Sequence, residues 1–171
     1  MHERLEIRPL TAADAAAFRA LRLQAVADAP SAVAPTHDEE AARTIADTEA
    51  RIRQTDAQVI FGAFAGTELV AIAGLRREPL AQLRHKAVLW GVFVSPAHRR
   101  SGLARELFAH VRGHAREQGV LQIQLCVNAD NVRARNLYLS LGFAAFGREP
   151  RALRVGDRFF DEEHMVLRLD G

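Results

Sequence analysis

The chain has 171 residues, of which 49% are hydrophobic and 26% charged, and its formal net charge is +2. This length and apolar content predict one domain with a sizeable core, placed at residues 5–169. The small net charge argues against nucleic-acid binding, and no apolar run approaches the roughly 18 residues of a membrane span. The first ten residues lack the apolar stretch of a signal peptide, so the expected location is cytoplasmic.

The single cysteine and the histidines give no sign of a metal site. Cys126 has no second cysteine to pair with, and its place in a predicted strand favours core packing. His110 and His114 have the spacing of a metal pair on one helix, but no third ligand accompanies them. A solvated helix face is therefore expected there, and no metal is predicted.

The first third of the chain predicts a strand followed by two helices. Residues 5–10 (LEIRPL) are typical of a short strand, and Thr11 or Asp14 can cap a helix that runs to about Ala27. A loop with two prolines follows and leads to a second predicted helix at residues 39–53.

The middle of the chain predicts three strands and a long helix. Residues 58–77 are two β-type runs that meet at Gly66-Thr67, which indicates a hairpin. Residues 87–94 (AVLWGVFV) are nearly all apolar, which predicts a strand covered on both faces. Residues 103–117 carry apolar side chains at the spacing of one buried helix face.

The last third predicts a strand, a short helix and a hairpin. Residues 120–127 alternate like a strand, and residues 131–141 predict a helix that ends at Gly142. The rest predicts a hairpin that turns near Gly156-Asp157. The resulting order, β-α-α-β-β-β-α-β-α-β-β, indicates a mixed α/β domain.

The start of the long predicted helix carries an unusual group of residues. Arg99, Arg100 and Gly102 lie where acidic or hydroxyl caps are usually found, and two arginines there oppose the helix dipole. One interpretation is a solvated loop. The other is an anion site, in which backbone N–H groups converge on a phosphate and Gly102 permits its close approach.

Two sequence blocks carry a family resemblance. Residues 99–104 (RRSGLA) match the pattern Arg/Gln-x-x-Gly-x-Gly/Ala, and residues 131–138 (NVRARNLY) are followed by Leu-Gly-Phe at 141–143. Both blocks resemble the GNAT superfamily of N-acetyltransferases. The resemblance implies a mixed, mostly antiparallel sheet flanked by helices, with two strands splayed to hold acetyl-CoA.

The resemblance also implies roles for individual residues. The strand backbone near Phe93 and Val94 would pair with the pantetheine arm, and Asn131 would bind the pantetheine or phosphate portion unless it serves only as a helix cap. Tyr138 would approach the sulfur and protonate the leaving thiolate, unless it is a core aromatic. The pyrophosphate would be held by Arg99 and by the backbone N–H groups of Arg100, Ser101, Gly102, Leu103 and Ala104.

The general base and the acceptor are less well defined. The strand at residues 87–94 contains no carboxylate that could act as a base. Acidic clusters lie at residues 38–40 and 161–163, in segments that flank the acceptor side of this fold. The expectation is a cationic amine, recruited by these carboxylates and desolvated beside an aromatic ring; the candidate residues are Glu39, Glu40, Trp90 and Glu162. The alternative is that both clusters are solvated faces.

The predicted function is transfer of an acetyl group from acetyl-CoA to a primary amine of a small molecule or protein, by direct attack of the amine on the thioester. The alternative is a non-catalytic acyl-CoA-binding sensor or regulatory module. A homodimer is a further expectation from the resemblance.

Overall fold

The computed structural model describes residues 4–171 as one seven-stranded sheet with helices on both faces. The strand order is β1-β2-β3-β4-β5-β7-β6. All neighbours are antiparallel except β4 and β5, which are parallel. The strands are β1 (Leu5–Pro9), β2 (Gln58–Ala65), β3 (Glu68–Arg77), β4 (Lys86–Val94), β5 (Gln122–Asn128), β6 (Ala144–Val155) and β7 (Arg158–Arg168). The helices are α1 (Ala15–Asp28), α2 (His37–Ala41), α3 (Ile45–Ile52), α4 (Leu103–Glu117) and α5 (Val132–Ser140).

The prediction of one helix over residues 39–53 is wrong, because the segment forms the two short helices α2 and α3. Each begins with its own capping box. The hydroxyl of Thr36 accepts the N–H of Glu39, and the hydroxyl of Thr44 accepts the N–H of Asp47. A threonine that caps a new helix holds extended backbone, so the chain cannot continue as one helix through Thr44.

The sheet separates two apolar cores. One core lies under α4, where Leu107, Val111 and Ala115 are fully buried against the central strands. The other lies under α1 and α3, around Phe18 and Ile52. Full burial of a leucine, valine, isoleucine or phenylalanine side chain contributes about 1.5–3 kcal/mol, so both helical layers are held to the sheet.

Strand β4 contains a bulge and then parts from β5. Ile72 of β3 pairs with Phe93, whereas Gly74 pairs with Trp90, so β4 carries one extra residue between them. Gly91 lies in this bulge with φ of 65°. On its other edge, β4 pairs with β5 only through Lys86, Ala87 and Val88. The expected splay of two strands is confirmed, and a bulge in β4 accompanies it.

The expectation that β4 is covered on both faces is wrong for its second half. Ala87 and Leu89 are buried, but residues 90–94 are all partly exposed. The reason is the splay, because β5 no longer lies beside this part of β4. No helix within residues 4–171 is long and apolar enough to cross a membrane.

Candidate active site

A cleft of about 430 Å³ opens where β4 and β5 part, and is called here the donor cleft. It lies between the end of β4, the start of α4 and the helix α5. Ten residues are predicted to bind the acetyl donor or to act as the general acid. Nine of them line the donor cleft, and Ser101 is the exception. The nine are Phe93, Val94, Arg99, Arg100, Gly102, Leu103, Ala104, Asn131 and Tyr138.

The loop before α4 presents a run of unpaired backbone donors to the donor cleft. Arg100 and Gly102 both have positive φ, 62° and 81°, and an alternation of this kind is typical of backbone concavities that bind anions. The first N–H with an acceptor is that of Glu106, which donates to the Gly102 carbonyl at 3.1 Å. Within residues 4–171, the N–H groups of residues 100–105 have no protein acceptor. A side chain at Gly102 would project into open space. These donors fit an oxyanion-rich ligand such as a pyrophosphate.

Ser101 and Arg99 fasten this loop. The hydroxyl of Ser101 donates to the His98 carbonyl at 2.6 Å, which explains why it does not face the donor cleft. The Arg99 guanidinium donates to the Val94 carbonyl at 3.0 Å and forms an ion pair with Asp28 at 2.7 Å. Arg99 therefore connects the ends of α1 and β4, and its charge is shared with a carboxylate.

Asn131 lines the far side of the donor cleft, and the nearby Asn128 holds the segment that leads to it. The Asn131 side chain accepts the N–H of Ala134 at 3.2 Å, so it caps α5. Its amide nitrogen has no partner within the described residues and is free to donate. The buried Asn128, which the sequence analysis missed, donates to the Ser31 carbonyl at 2.9 Å and accepts the N–H of Asp130 at 2.8 Å. Its place between a strand and a helix gave no signal of this role.

Tyr138 lies on α5 and lines the donor cleft. Its ring is partly buried and meets the ring of Phe143 edge-on, with 5.8 Å between the centroids. Burial raises the pKa of the Tyr138 phenol to about 12. The phenol therefore keeps its proton throughout the neutral range, as a general acid requires.

A second cavity of about 460 Å³, the hairpin cavity, lies between the end of α1 and the turn of the β6–β7 hairpin. Its walls are mostly apolar and include Val26, Pro30, Val33, Pro35, Leu153 and Val155. The cavity lies near the two segments that the sequence analysis assigned to the acceptor side, but the sequence gave no sign of a cavity there.

The first acidic cluster, residues 38–40, does not offer the free carboxylates that were expected to recruit an amine. Glu40 is only 1% exposed and lies 3.5 Å from the Arg22 guanidinium and 2.9 Å from that of Arg51. Its carboxylate therefore belongs to a buried ion-pair group, and a role for Glu40 in recruiting a ligand from solvent is contradicted. Glu39 is exposed and accepts the N–H of Thr36 at 2.8 Å, so it is part of a helix cap.

The second cluster leaves one carboxylate without an arginine. Asp161 and Glu163 form ion pairs with Arg148 and Arg135. Glu162 forms none within residues 4–171, and burial, followed by the nearby Glu149, raises the pKa of its carboxyl group. Of the predicted acceptor carboxylates, Glu39 and Glu162 form no ion pair within residues 4–171, and Glu162 is the partly buried one of the two.

Trp90 packs against the core under α1, and its indole N–H is buried without an acceptor in the described part of the chain.

Cys126 is exposed, so the expectation of core packing is wrong. Its neighbours Leu125 and Val127 face the core under α4, and strand alternation turns Cys126 to the opposite face. His110 is exposed and His114 partly so, and both rings contact Phe61.

A splayed parallel strand pair with a donor-rich helix start defines an acetyltransferase-type cleft. A profile described as the acetyltransferase (GNAT) family matches residues 23–143. A mycothiol acetyltransferase from Brachybacterium faecium is 32% identical over 147 residues, which are 85% of this chain and 42% of that protein. The chain therefore belongs to the GNAT acetyltransferase family.

Other similarities are shorter or structural. The [ribosomal protein bS18]-alanine N-acetyltransferase of Escherichia coli is 40% identical over 58 residues, which are 34% of this chain and 39% of that protein. The matches thus span about two fifths of these curated relatives. A GNAT-family acetyltransferase from Streptococcus pneumoniae superposes with a TM-score of 0.86 at 23% identity, covering 97% of this chain and all of that one. A Salmonella typhimurium protein solved with its cofactor acetyl-CoA gives 0.81 at 24% identity, covering 98% and 95%.

Proposed function

We propose that the protein is an acetyl-CoA-dependent N-acetyltransferase that transfers an acetyl group to a primary amine by direct attack on the thioester. The observation that carries this proposal is the run of unpaired N–H groups at residues 100–105, at the mouth of a cleft that ends at Tyr138. A donor run of this kind suits the pyrophosphate of acetyl-CoA, and a phenol that stays protonated suits a departing thiolate.

The other proposed contacts with acetyl-CoA depend on the splay of β4 and β5. The backbone of β4 beyond Val88 has no strand partner on its β5 side, so the edge near Phe93 and Val94 is available to pantetheine amides. The Asn131 amide nitrogen can donate to the same arm. A backbone N–H at the Gly91 bulge can stabilise the oxyanion that forms during attack.

The acceptor is proposed to bind on the side of the hairpin cavity, with its amine directed towards the gap between β4 and β5. The mostly apolar walls favour an acceptor with an apolar portion, and Glu162 favours a cationic nitrogen. The relatives named above are a mycothiol acetyltransferase and a ribosomal-protein-alanine N-acetyltransferase, and the acceptor proposed for this chain is a small-molecule or peptide amine.

The test is release of free CoA thiol from acetyl-CoA with a panel of polyamines, amino acids, aminoglycosides and peptides with free N-termini. The expected result is acceptor-dependent release that saturates with at least one amine. Tight acetyl-CoA binding without release for any amine would contradict the proposal and would favour an acyl-CoA-binding sensor.

A further inference from the structure

A cysteine, a histidine and two glutamates meet on the outer half of the sheet, outside the donor cleft. Cys126 of β5 pairs across the strands with His164 of β7, and Glu149 of β6 pairs with Glu162 of β7. The four side chains belong to three adjacent strands. Cys126 and Glu149 contact the His164 ring, and Glu162 lies two residues from His164 on the same face of β7.

The hydrogen bonds orient the His164 ring. Its Nε2 lies 3.2 Å from a carboxylate oxygen of Glu149, so this nitrogen carries a proton and donates it. The sulfur of Cys126 lies 3.3 Å from Nδ1 and 3.9 Å from Nε2, so it rests against the ring on the β5 side. Nδ1 is then the unprotonated nitrogen, and it is directed towards β5. The aromatic ring of Phe146 packs against the imidazole at 6.0 Å between centroids.

This group lies beside the opening between β4 and β5. The last β4–β5 pair is Val88 with Gln124, and two residues further on are Trp90 on β4 and Cys126 on β5. Trp90 packs against the core under α1, and Cys126 is on the same face of the sheet by alternation. Tyr138 packs against the core under α4, on the opposite face. An amine that enters between Trp90 and Cys126 therefore has Tyr138 beyond the gap and His164 at its side.

We propose that His164 is the general base that removes the proton from the acceptor amine, and that Glu149 is a positioning residue which fixes the ring with Nδ1 towards Cys126, the β5 residue that borders the gap. The inference rests on the proposed function. It supplies a base for a chain whose β4 strand contains no carboxylate.

The proton balance needs no group from outside the protein and its substrates. The acceptor ammonium loses one N–H proton, which passes to Nδ1 of His164 directly or through one water molecule. The neutral amine forms the new N–C bond, the C–S bond breaks, and the thiolate takes the Tyr138 proton. The nitrogen loses its second proton as the amide forms, and this proton restores the Tyr138 phenol through water. The imidazolium is stabilised by the carboxylates of Glu149 and Glu162 until it returns its proton to solvent.

The test compares pH profiles of kcat/KM for His164→Gln, Glu149→Gln and wild type, with the best amine of the acceptor panel. His164→Gln should lose roughly 10²-fold at pH 7, the usual range for a lost general base. The loss should shrink as the pH approaches the pKa of the free amine, because the amine then arrives unprotonated. In Glu149→Gln the acid limb of the profile should move to lower pH, because the lost carboxylate favoured the imidazolium.

The matched control is His110→Gln, an exposed histidine on α4 whose replacement should leave the profile unchanged. Glu149 is exposed, so Glu149→Gln keeps the test valid if His164→Gln folds poorly. An equal loss at every pH in both variants, or no change, would overturn the assignment of His164 while leaving the proposed function intact. Acetylation of Cys126 by acetyl-CoA alone, seen by mass spectrometry, would overturn it in favour of a thiol nucleophile. Absence of CoA release by wild type overturns both.

Discussion

Tyr138 is the only tyrosine of the chain, and its phenol has no hydrogen-bond partner within residues 4–171. An unpartnered phenol contributes little to folding, whereas its place in the donor cleft suits proton transfer. Replacing Tyr138 by phenylalanine removes only the phenol oxygen, so the substitution can affect catalysis without affecting folding.

We expect Tyr138→Phe to lower kcat about 10²-fold or more and to leave acetyl-CoA affinity nearly unchanged. The phenol acts only as the thiolate departs, so its loss affects the transition state. Steady-state kinetics and a binding titration measure the two effects. Because removing the hydroxyl breaks no hydrogen bond, the urea midpoint should match wild type, and wild-type turnover would leave Tyr138 as a packing residue.

Glu40 shows the opposite case, an ionisable group whose role is structural. It shares its carboxylate with Arg22, which is only 4% exposed, and with Arg51 and Arg43. Loss of the Glu40 carboxylate should lower the free energy of unfolding substantially, because it leaves a buried guanidinium without a partner of opposite charge.

We expect Glu40→Gln to lower the free energy of unfolding by about 3 kcal/mol, since it leaves the buried Arg22 uncompensated. Urea denaturation measures the change. Asp38→Asn, at an exposed position of the same helix, is the control and should change stability by less than about 0.5 kcal/mol. Equal midpoints for the two variants would show that the buried ion-pair group does not stabilise the fold.

At the scale of elements, the start of α4 and the parting of β4 from β5 create the donor cleft together. The helix supplies the unpaired N–H groups, and the strand pair supplies the space in front of them. The bulge at Gly91 turns the second half of β4 away from its regular course.

We expect Gly102→Glu to abolish the stabilisation that acetyl-CoA gives, because bulk and negative charge would lie where the pyrophosphate binds. The matched control is Gly119→Glu at the other end of α4. Gly119 also has positive φ, 75° against 81°, and open space around it, so both variants carry similar backbone strain. Thermal-shift titrations with acetyl-CoA measure the effect. Equal stabilisation of the two variants would show that the pyrophosphate does not bind at the start of α4.

At the scale of the molecule, one sheet joins both cores, and strands β2 and β3 are buried on both faces. The helical layers cannot detach without exposing the same central strands. Residues 5–169 are therefore proposed to fold as one domain.

We expect one cooperative unfolding transition, coincident by far-UV circular dichroism and by Trp90 fluorescence. Acetyl-CoA at 100 times its dissociation constant should raise the free energy of unfolding by about 2.7 kcal/mol. Two separated transitions, or a ligand effect on only one probe, would contradict a single domain.

The sequence alone determined the features that depend on neighbouring residues. Both hairpin turns, the long helix α4 and the RRSGLA segment at its start follow from local patterns, and the structure confirms their positions. The splay was predicted only through the family resemblance, since no local pattern of apolar residues reveals that β5 leaves β4 after Val88.

Only the tertiary structure decided which polar side chains are buried, paired or free. Glu40 and Glu162 look alike in sequence, each within an acidic run, yet one is surrounded by arginines from α1 and α3 and the other has none. Cys126 and His164 are 38 residues apart and meet only because β5 and β7 are neighbours in the sheet. The physical reason is that burial and charge pairing are set by contacts between distant segments, whereas turns and helix starts are set by local backbone preferences.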